Sequence, residues 1–157
     1  MVRASGLVLI SSCLAGIPCR YDGRSVPFDL PCQCSLVPVC PETASGFAVP
    51  RTPMEISSRR VITSNGENVT EQLTRGISKL LEEIDIPSLC CAVLKENSPS
   101  CGVKHIYDGS FTGTLTAGPG LFTRALISLS VPVFSNEELQ LSPVNNDFLR
   151  CLGRTTL

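Results

Sequence analysis

The chain has 157 residues, and its 13 basic residues nearly balance its 14 acidic ones. This length indicates a single domain, which we expect to span 1–157. A net charge of −1 and the absence of tryptophan provide neither a basic surface for duplex nucleic acid nor stacking platforms for single strands. The nine cysteines are an odd number and cannot all pair within one chain, so we expect some to be metal or redox ligands in a reducing compartment.

The first predicted element is the short apolar run at 6–10. With Cys13 shortly after it, this run imitates a lipoprotein signal, but its five residues are fewer than the roughly 7–15 of a secretory segment. A buried strand of a parallel sheet fits the length better. No later segment approaches the roughly 20 apolar residues of a membrane span. We therefore expect a cytoplasmic protein without a membrane partner.

Three further apolar runs, at 36–39, 90–94 and 131–134, are typical of short buried strands. Pro38 and Pro132 lie within the first and the last of these runs. Proline cannot donate a hydrogen bond to a neighbouring strand, so these two strands are expected away from the centre of a sheet.

Two helices are predicted between the strands. Asn68 and Glu71 form a capping-box-like start for the first, which continues with apolar residues at spacings of three and four. Pro87 is expected to end it. The second helix is predicted to begin at Gly-Pro-Gly at 118–120, with Pro119 near its first turn, and to run through 121–129.

The alternation of strands and helices predicts an α/β fold, a single three-layer Rossmann-like domain with a mainly parallel sheet. Residues 41–66, rich in Pro, Ser and Arg, are predicted to be an irregular connection. Ligands of parallel sheets bind beyond the carboxyl ends of the strands. Cys13, Cys40 and the loop that leads to Cys101 each follow a predicted strand. We therefore expect three thiolates to meet at one edge of the sheet.

Four motifs follow one another along the chain: CLAGIPCRYDG at 13–23, VCPE at 39–42, KENSPSCG at 95–102 and YDGSFTG at 107–113. This series resembles a bacterial family of small proteins whose characterised members are thiouracil desulfidases. The resemblance covers about 6–134 and leaves 135–157 as a C-terminal tail. It implies an enzyme that converts a thiolated heterocycle such as 2-thiouracil, with water, into uracil and hydrogen sulfide.

The resemblance further implies that three cysteines hold a [4Fe–4S] cluster in which one iron is not ligated by protein: Cys13, Cys40 and Cys101. It assigns catalytic roles to Glu42 and Ser98. The soft sulfur of a thioketone suits the open iron, and Glu42 could carry a proton between water and the departing sulfur. The sequence leaves open whether Ser98 or Ser100 faces the site.

Two alternatives remain beside the desulfidase. In a structural or regulatory metal protein, Cys19 would be the fourth ligand of zinc or of a fully ligated cluster. A sulfur-transfer accessory of tRNA modification would need RNA binding, which the near-neutral charge does not favour. The roles of Cys32 and Cys34, the physiological substrate and the oligomeric state are left open.

The remaining polar candidates are less specific. The single histidine, His105, follows the Cys101 loop closely and is expected at the surface. Four charged residues are candidate contacts for a uracil-like ring: Arg20, Asp22, Arg51 and Arg59.

Overall fold

The computed structural model describes residues 6–31, 33–142 and 145–153. Its strands are β1 (Leu7–Ser11), β2 (Ser35–Val39), β3 (Met54–Ser57), β4 (Arg60–Thr63), β5 (Leu89–Leu94), β6 (His105–Tyr107), β7 (Leu115–Ala117) and β8 (Val133–Ser135). Its α-helices are α1 (Pro41–Ala44), α2 (Thr70–Glu83), α3 (Leu121–Ser128), α4 (Asn136–Leu141) and α5 (Asn146–Cys151). None of the helices within these ranges has the length and apolar character needed to cross a membrane.

The centre of the fold is a four-stranded parallel sheet with the strand order β2-β1-β5-β8. The two central strands, β1 and β5, are the most continuous apolar runs because both of their faces are buried. β2, with Pro38, and β8 lie at the edges, where an interior proline is tolerated. The predicted α/β class with a mainly parallel sheet is confirmed.

Helices cover both faces of this sheet. Leu9 of β1 packs with α2 and α3 in one hydrophobic core. Its neighbours Val8 and Ile10 point to the other face and pack with α4 and α5. On that second face the rings of Phe134 and Phe148 meet edge to face, with 5.4 Å between their centroids. The three-layer arrangement follows from this alternation, and the chain after 134 contributes to it through α4 and α5.

The first predicted helix is confirmed as α2, and of its predicted cap only the Asn68 half is present. Asn68 Oδ1 accepts the backbone N–H of Thr70 at 3.1 Å, whereas Glu71 does not reach back. Glu71 instead pairs with Arg75 one turn along the exposed face, and Thr70 begins the helix. Pro87 lies beyond the helix, in a 3-10 turn. The second predicted helix is confirmed as α3.

The prediction of an irregular connection over 41–66 is wrong. This segment contains α1 and the antiparallel hairpin of β3 and β4. The helix and the two strands are each only four residues long, too short for an apolar period to stand out. A second hairpin joins β6 to β7. The two hairpins and α1 lie after the carboxyl ends of the main strands and supply much of the site described below.

Gly76 of α2 allows the close approach of α1. A Cβ atom added at Gly76 would lie 2.5 Å from the backbone Cα of Ser45, just after α1. Although alanine favours a helix, we expect Gly76→Ala to lower the free energy of unfolding by about 2 kcal/mol because the added methyl group overpacks this contact. Denaturant unfolding measures the change. Ser78→Ala, on the exposed face of the same helix, should change stability by less than about 0.5 kcal/mol, and an equal loss in both variants would contradict the argument.

Candidate active site

A cavity of about 320 Å³ lies beyond the carboxyl ends of β1, β2 and β5. Each of these strands leads into a segment that presents a cysteine to the cavity. Cys13 lies in the 3-10 turn directly after β1, Cys40 directly follows β2, and Cys101 lies in the loop after β5. The structure therefore brings together the three cysteines that the sequence predicts to converge.

The thiols of this cavity are strongly buried. Cys13, Cys19 and Cys101 are each less than a tenth exposed. Burial raises the pKa of the Cys101 thiol, although hydrogen bonds from Ser11 and Ser100 oppose the shift. Burial also raises the pKa of Cys13, against the influence of the Lys95 ammonium. Without a ligand, these groups are held as neutral thiols.

Cys19, the candidate fourth ligand, also lines the cavity and neighbours Cys40. The Cys40 thiol lies 4.0 Å from the Cys19 carbonyl oxygen. Burial, and then the proximity of the ionisable Cys40 side chain, raises the pKa of Cys19 to about 12. The sequence left the roles of Cys32 and Cys34 open. Cys34 packs at the edge of the second hydrophobic core, and Cys32 lies outside the described residues.

Glu42 is held at both of its carboxylate oxygens. Cys40 is the N-cap of α1 and Pro41 its first residue, so Glu42 lies in the first turn beside the cavity. Arg51 Nε donates to Glu42 Oε1 at 3.2 Å, and Ser100 Oγ donates to Oε2 at 2.9 Å. The Arg51 and Glu42 side chains are only 7% and 13% exposed, so bulk water does little to loosen this ion pair.

Arg51 is occupied by the protein itself. Besides Glu42, its guanidinium donates to the Cys19 carbonyl at 2.9 Å and to the Ala48 carbonyl at 3.2 Å. Arg51, a candidate contact for a uracil-like ring, also lines the cavity, and its hydrogen bonds tie the Cys19 segment to α1. Its position thus couples the cysteine-bearing loop to the carboxylate.

Ser98 and Ser100 both line the cavity. Ser98 Oγ accepts the backbone N–H groups of Ser100 and Cys101, at 3.2 and 3.1 Å, and lies 2.9 Å from Ser100 Oγ. Ser100 has one hydroxyl hydrogen. When Ser100 donates it to Glu42, the Ser98 hydroxyl is the donor to Ser100. The result is a directed chain from Ser98 through Ser100 to the carboxylate.

Glu96 organises the loop that carries Cys101. Its side chain is 2% exposed, and Oε1 accepts the backbone N–H groups of Val103, Lys104 and His105 at 2.7, 2.9 and 3.1 Å. A carboxylate in this position draws the chain after Cys101 back toward the end of β5. The sequence motif contains Glu96, but only its burial reveals this role.

We expect Glu96→Ala to lower the free energy of unfolding by about 3 kcal/mol, because three backbone donors lose a charged acceptor. Chemical denaturation followed by circular dichroism measures the loss. The matched control is Glu82→Ala, on the exposed face of α2, for which less than about 0.5 kcal/mol is expected. A Glu96→Ala protein as stable as this control would show that the loop does not depend on the carboxylate.

Another part of the cavity wall comes from the two hairpins. Glu55 of β3 and Tyr107 and Phe111 of the second hairpin line the cavity. Glu55 is 8% exposed, and its Oε1 accepts the backbone N–H groups of Gly109 and Phe111, both at 3.1 Å. Sequence analysis missed Glu55 because an isolated glutamate is far more often a surface residue.

Of the remaining polar residues predicted from the sequence, one lines the cavity and three do not. Arg20 lines the cavity. Asp22 is an exposed turn residue whose Oδ1 accepts the N–H of Arg24 at 3.0 Å. Arg59 lies in the turn between β3 and β4, away from the cavity lining. His105 is exposed, as expected, and does not line the cavity. Within the described ranges, no three His, Cys, Asp or Glu side chains lie in the arrangement of a single-ion site.

The fold and the cavity define a class, namely three-layer α/β proteins that gather cysteines from separate strands at the carboxyl edge of the sheet. The profile of the 2-thiouracil desulfurase family matches residues 8–138. The chain belongs to this family, which confirms the resemblance inferred from the four motifs.

Two relatives agree with this assignment. An uncharacterized protein of Bacillus subtilis (strain 168), YbbK, is 36% identical over an alignment of 147 positions, which covers 85% of this chain and 97% of YbbK. A solved structure, described as that of the [4Fe–4S]-dependent thiouracil desulfidase TudS, is 34% identical and superposes with a TM-score of 0.78. The superposition covers 88% of this chain and 96% of TudS.

Proposed function

We propose that this chain is a [4Fe–4S]-dependent desulfidase that removes sulfur from a thiolated pyrimidine such as 2-thiouracil. The observation that carries the proposal is the convergence of Cys13, Cys40, Cys101 and Glu42 on one cavity. Membership of the desulfurase family and the similarity to TudS support it. In the proposed reaction, 2-thiouracil and water give uracil and hydrogen sulfide, with no net oxidation or reduction.

The donor set fits such a cluster. Iron–sulfur clusters are held by cysteine thiolates, and Cys13, Cys40 and Cys101 present three thiols to one cavity. In this proposal they are the protein ligands, and the fourth iron is left without one. When bound, the cluster supplies an iron site for the soft sulfur of the substrate, which makes the adjoining carbon more open to attack by water.

Glu42 is proposed to move the proton. Each carboxylate oxygen of Glu42 accepts one hydrogen bond from the protein and keeps a further lone pair. Glu42 can therefore accept a proton from a water molecule beside the thiocarbonyl carbon. As the C–O bond forms and the C–S bond breaks, the protons of the water end on the departing sulfide. Arg51 and Ser100 hold the carboxylate in one orientation throughout, which saves the cost of orienting it during the reaction.

Ser98 is proposed to act through the hydroxyl chain. With Glu42 ionised, the hydrogen bonds run from Ser98 through Ser100 to the carboxylate. When Glu42 holds a proton, the carboxyl group can donate it to the Ser100 oxygen, which has a second lone pair beside the one that accepts from Ser98. Ser98 and Ser100 thereby stabilise both protonation states of Glu42. Ser98 also fixes the Cys101 backbone, so its hydroxyl serves the loop as well as the chain.

Anaerobic reconstitution with iron and sulfide, followed by a sulfide-release assay on 2-thiouracil, tests the proposal. We expect broad visible absorption from the cluster and release of sulfide together with uracil. Absorption without sulfide would redirect the search to other thiolated bases. A colourless protein that takes up zinc would overturn the proposal in favour of a structural metal protein.

Retention of the cluster should depend on pH. Cys13 and Cys101 have raised pKa values in the ligand-free protein, whereas a cluster binds thiolates, so loading releases protons. Raising the pH toward these values weakens the competition from protons, by up to about tenfold for each thiol per pH unit. Anaerobic competition with an iron chelator at about pH 7 and about pH 8.5 measures this. Weaker retention at the higher pH would contradict it.

A further inference from the structure

The turn between β6 and β7 places an aromatic ring in the cavity wall. Phe111 lies in this turn, is 37% exposed and lines the cavity. Its backbone has a φ of +56°. This left-handed conformation is unfavourable for a bulky residue, so the surrounding structure must hold Phe111 in place.

Glu55, in the neighbouring hairpin, constrains the Phe111 backbone through hydrogen bonds. Its carboxylate accepts the Phe111 N–H and the Gly109 N–H, each at 3.1 Å. An almost fully buried carboxylate is costly unless it is hydrogen-bonded. Here the Glu55 carboxylate accepts hydrogen bonds from the backbone of an exposed turn, and these bonds fix the position of the Phe111 backbone from which the ring projects.

The polar side chains of the same turn are engaged with one another. Ser110 Oγ lies 2.6 Å from Thr112 Oγ1, which lies 2.8 Å from Thr114 Oγ1. Ser110 also donates its backbone N–H to Asp108 at 2.9 Å. The turn is thus shaped by its backbone and hydroxyl groups, and the Phe111 ring is not needed to close it. The ring is available for a ligand.

We infer that Phe111 is the residue on which the face of the substrate heterocycle packs, and that Glu55 is a positioning residue that acts through the Phe111 backbone. The inference rests on the proposed function and concerns its selectivity for planar rings. Stacking on an aromatic side chain needs only a flat π-face. Tyr21 is less suited, since the Arg20 guanidinium already lies 5.8 Å from its ring centroid.

Binding of uracil to the reconstituted holoenzyme under anaerobic conditions tests this inference, because the product binds without reacting. Phe111→Ala should weaken uracil binding by about tenfold. It should raise KM for 2-thiouracil by a similar factor and leave kcat unchanged. Phe111→Tyr keeps the ring and should restore binding. The control is Ile127→Ala, since Ile127 is 54% exposed and does not line the cavity. Unchanged uracil binding in Phe111→Ala would overturn the inference.

The positioning role of Glu55 has its own readout. Glu55→Ala should weaken uracil binding in the wild-type background but add nothing in the Phe111→Ala background, because both changes remove the same contact. Glu55→Gln keeps an acceptor oxygen and should bind nearly as well as the wild type, which guards against a variant that fails to fold. Additive losses from Glu55→Ala and Phe111→Ala would show that Glu55 acts independently of the ring.

This test separates the inference from the proposed function. If the wild-type holoenzyme releases no sulfide from any thiolated pyrimidine, the proposed function fails. Uracil binding requires no turnover, so its dependence on Phe111 still decides whether the ring contacts a pyrimidine. If sulfide is released and Phe111→Ala leaves uracil binding unchanged, the proposed function stands and the inference is wrong.

Discussion

Glu42→Gln is expected to keep the cluster and to lower sulfide release from 2-thiouracil by a factor of about 10² to 10⁴, the range associated with a positioned acid or base. Glutamine has nearly the same shape, and its amide oxygen can still accept a hydrogen bond from Ser100. It cannot take a proton from water at neutral pH. The visible spectrum reports the cluster, and timed sulfide assays report turnover.

The matched control for this substitution is Glu71→Gln. Glu71 lies on the exposed face of α2 and pairs with its neighbour Arg75, so the control should be as active as the wild type. A Glu42→Gln enzyme that keeps more than about a tenth of wild-type activity would remove the proposed role in proton transfer. Loss of the visible absorption in Glu42→Gln would instead show that Glu42 is needed for the cluster.

Cys101→Ala is expected to abolish the cluster, with at least about a tenfold loss of protein-bound iron, because a cluster with only two protein thiolates is poorly held. Alanine is small enough to be accommodated at this buried position, and the Ser98 hydrogen bond to the Cys101 backbone is unaffected. Iron and labile sulfide are measured after anaerobic desalting. Circular dichroism verifies that the variant is folded.

Cys19→Ser distinguishes the desulfidase from the structural alternative. Both Cys19 and Cys101 are buried in the same cavity, but only Cys101 is proposed as a ligand. The substitution leaves the Cys19 carbonyl available to Arg51, so we expect the cluster and the sulfide release to persist. If Cys19→Ser loses its iron as completely as Cys101→Ala, a fully ligated metal site becomes the better account of the cavity.

The sheet and the meeting of the cysteines were predictable from local patterns. Continuous apolar runs identify β1 and β5, and the rule that ligands bind at the carboxyl ends of parallel strands places Cys13, Cys40 and Cys101 at one edge. Both arguments need only residues close together in sequence.

The rest of the site depends on contacts between distant residues. Arg51 bonds Glu42 and the carbonyl of Cys19, 32 residues earlier in the chain. No periodicity encodes such a contact. Ser98 and Ser100 lie in one irregular loop, so their orientation could not be derived from a helix or strand period. Glu55 is buried only because a turn more than 50 residues later brings N–H groups to it.

The cysteine loop and the turn between β6 and β7, which both form the cavity wall, differ in how well they tolerate substitution. Beside the cysteines, a Cβ atom added at Gly120 would come within 2.6 Å of the Ser100 backbone, so any side chain there would displace the Cys101 loop. Residues 110–117, by contrast, are all exposed. Directed evolution toward other heterocycles should therefore vary the Phe111 side chain and leave the cysteine loop unchanged.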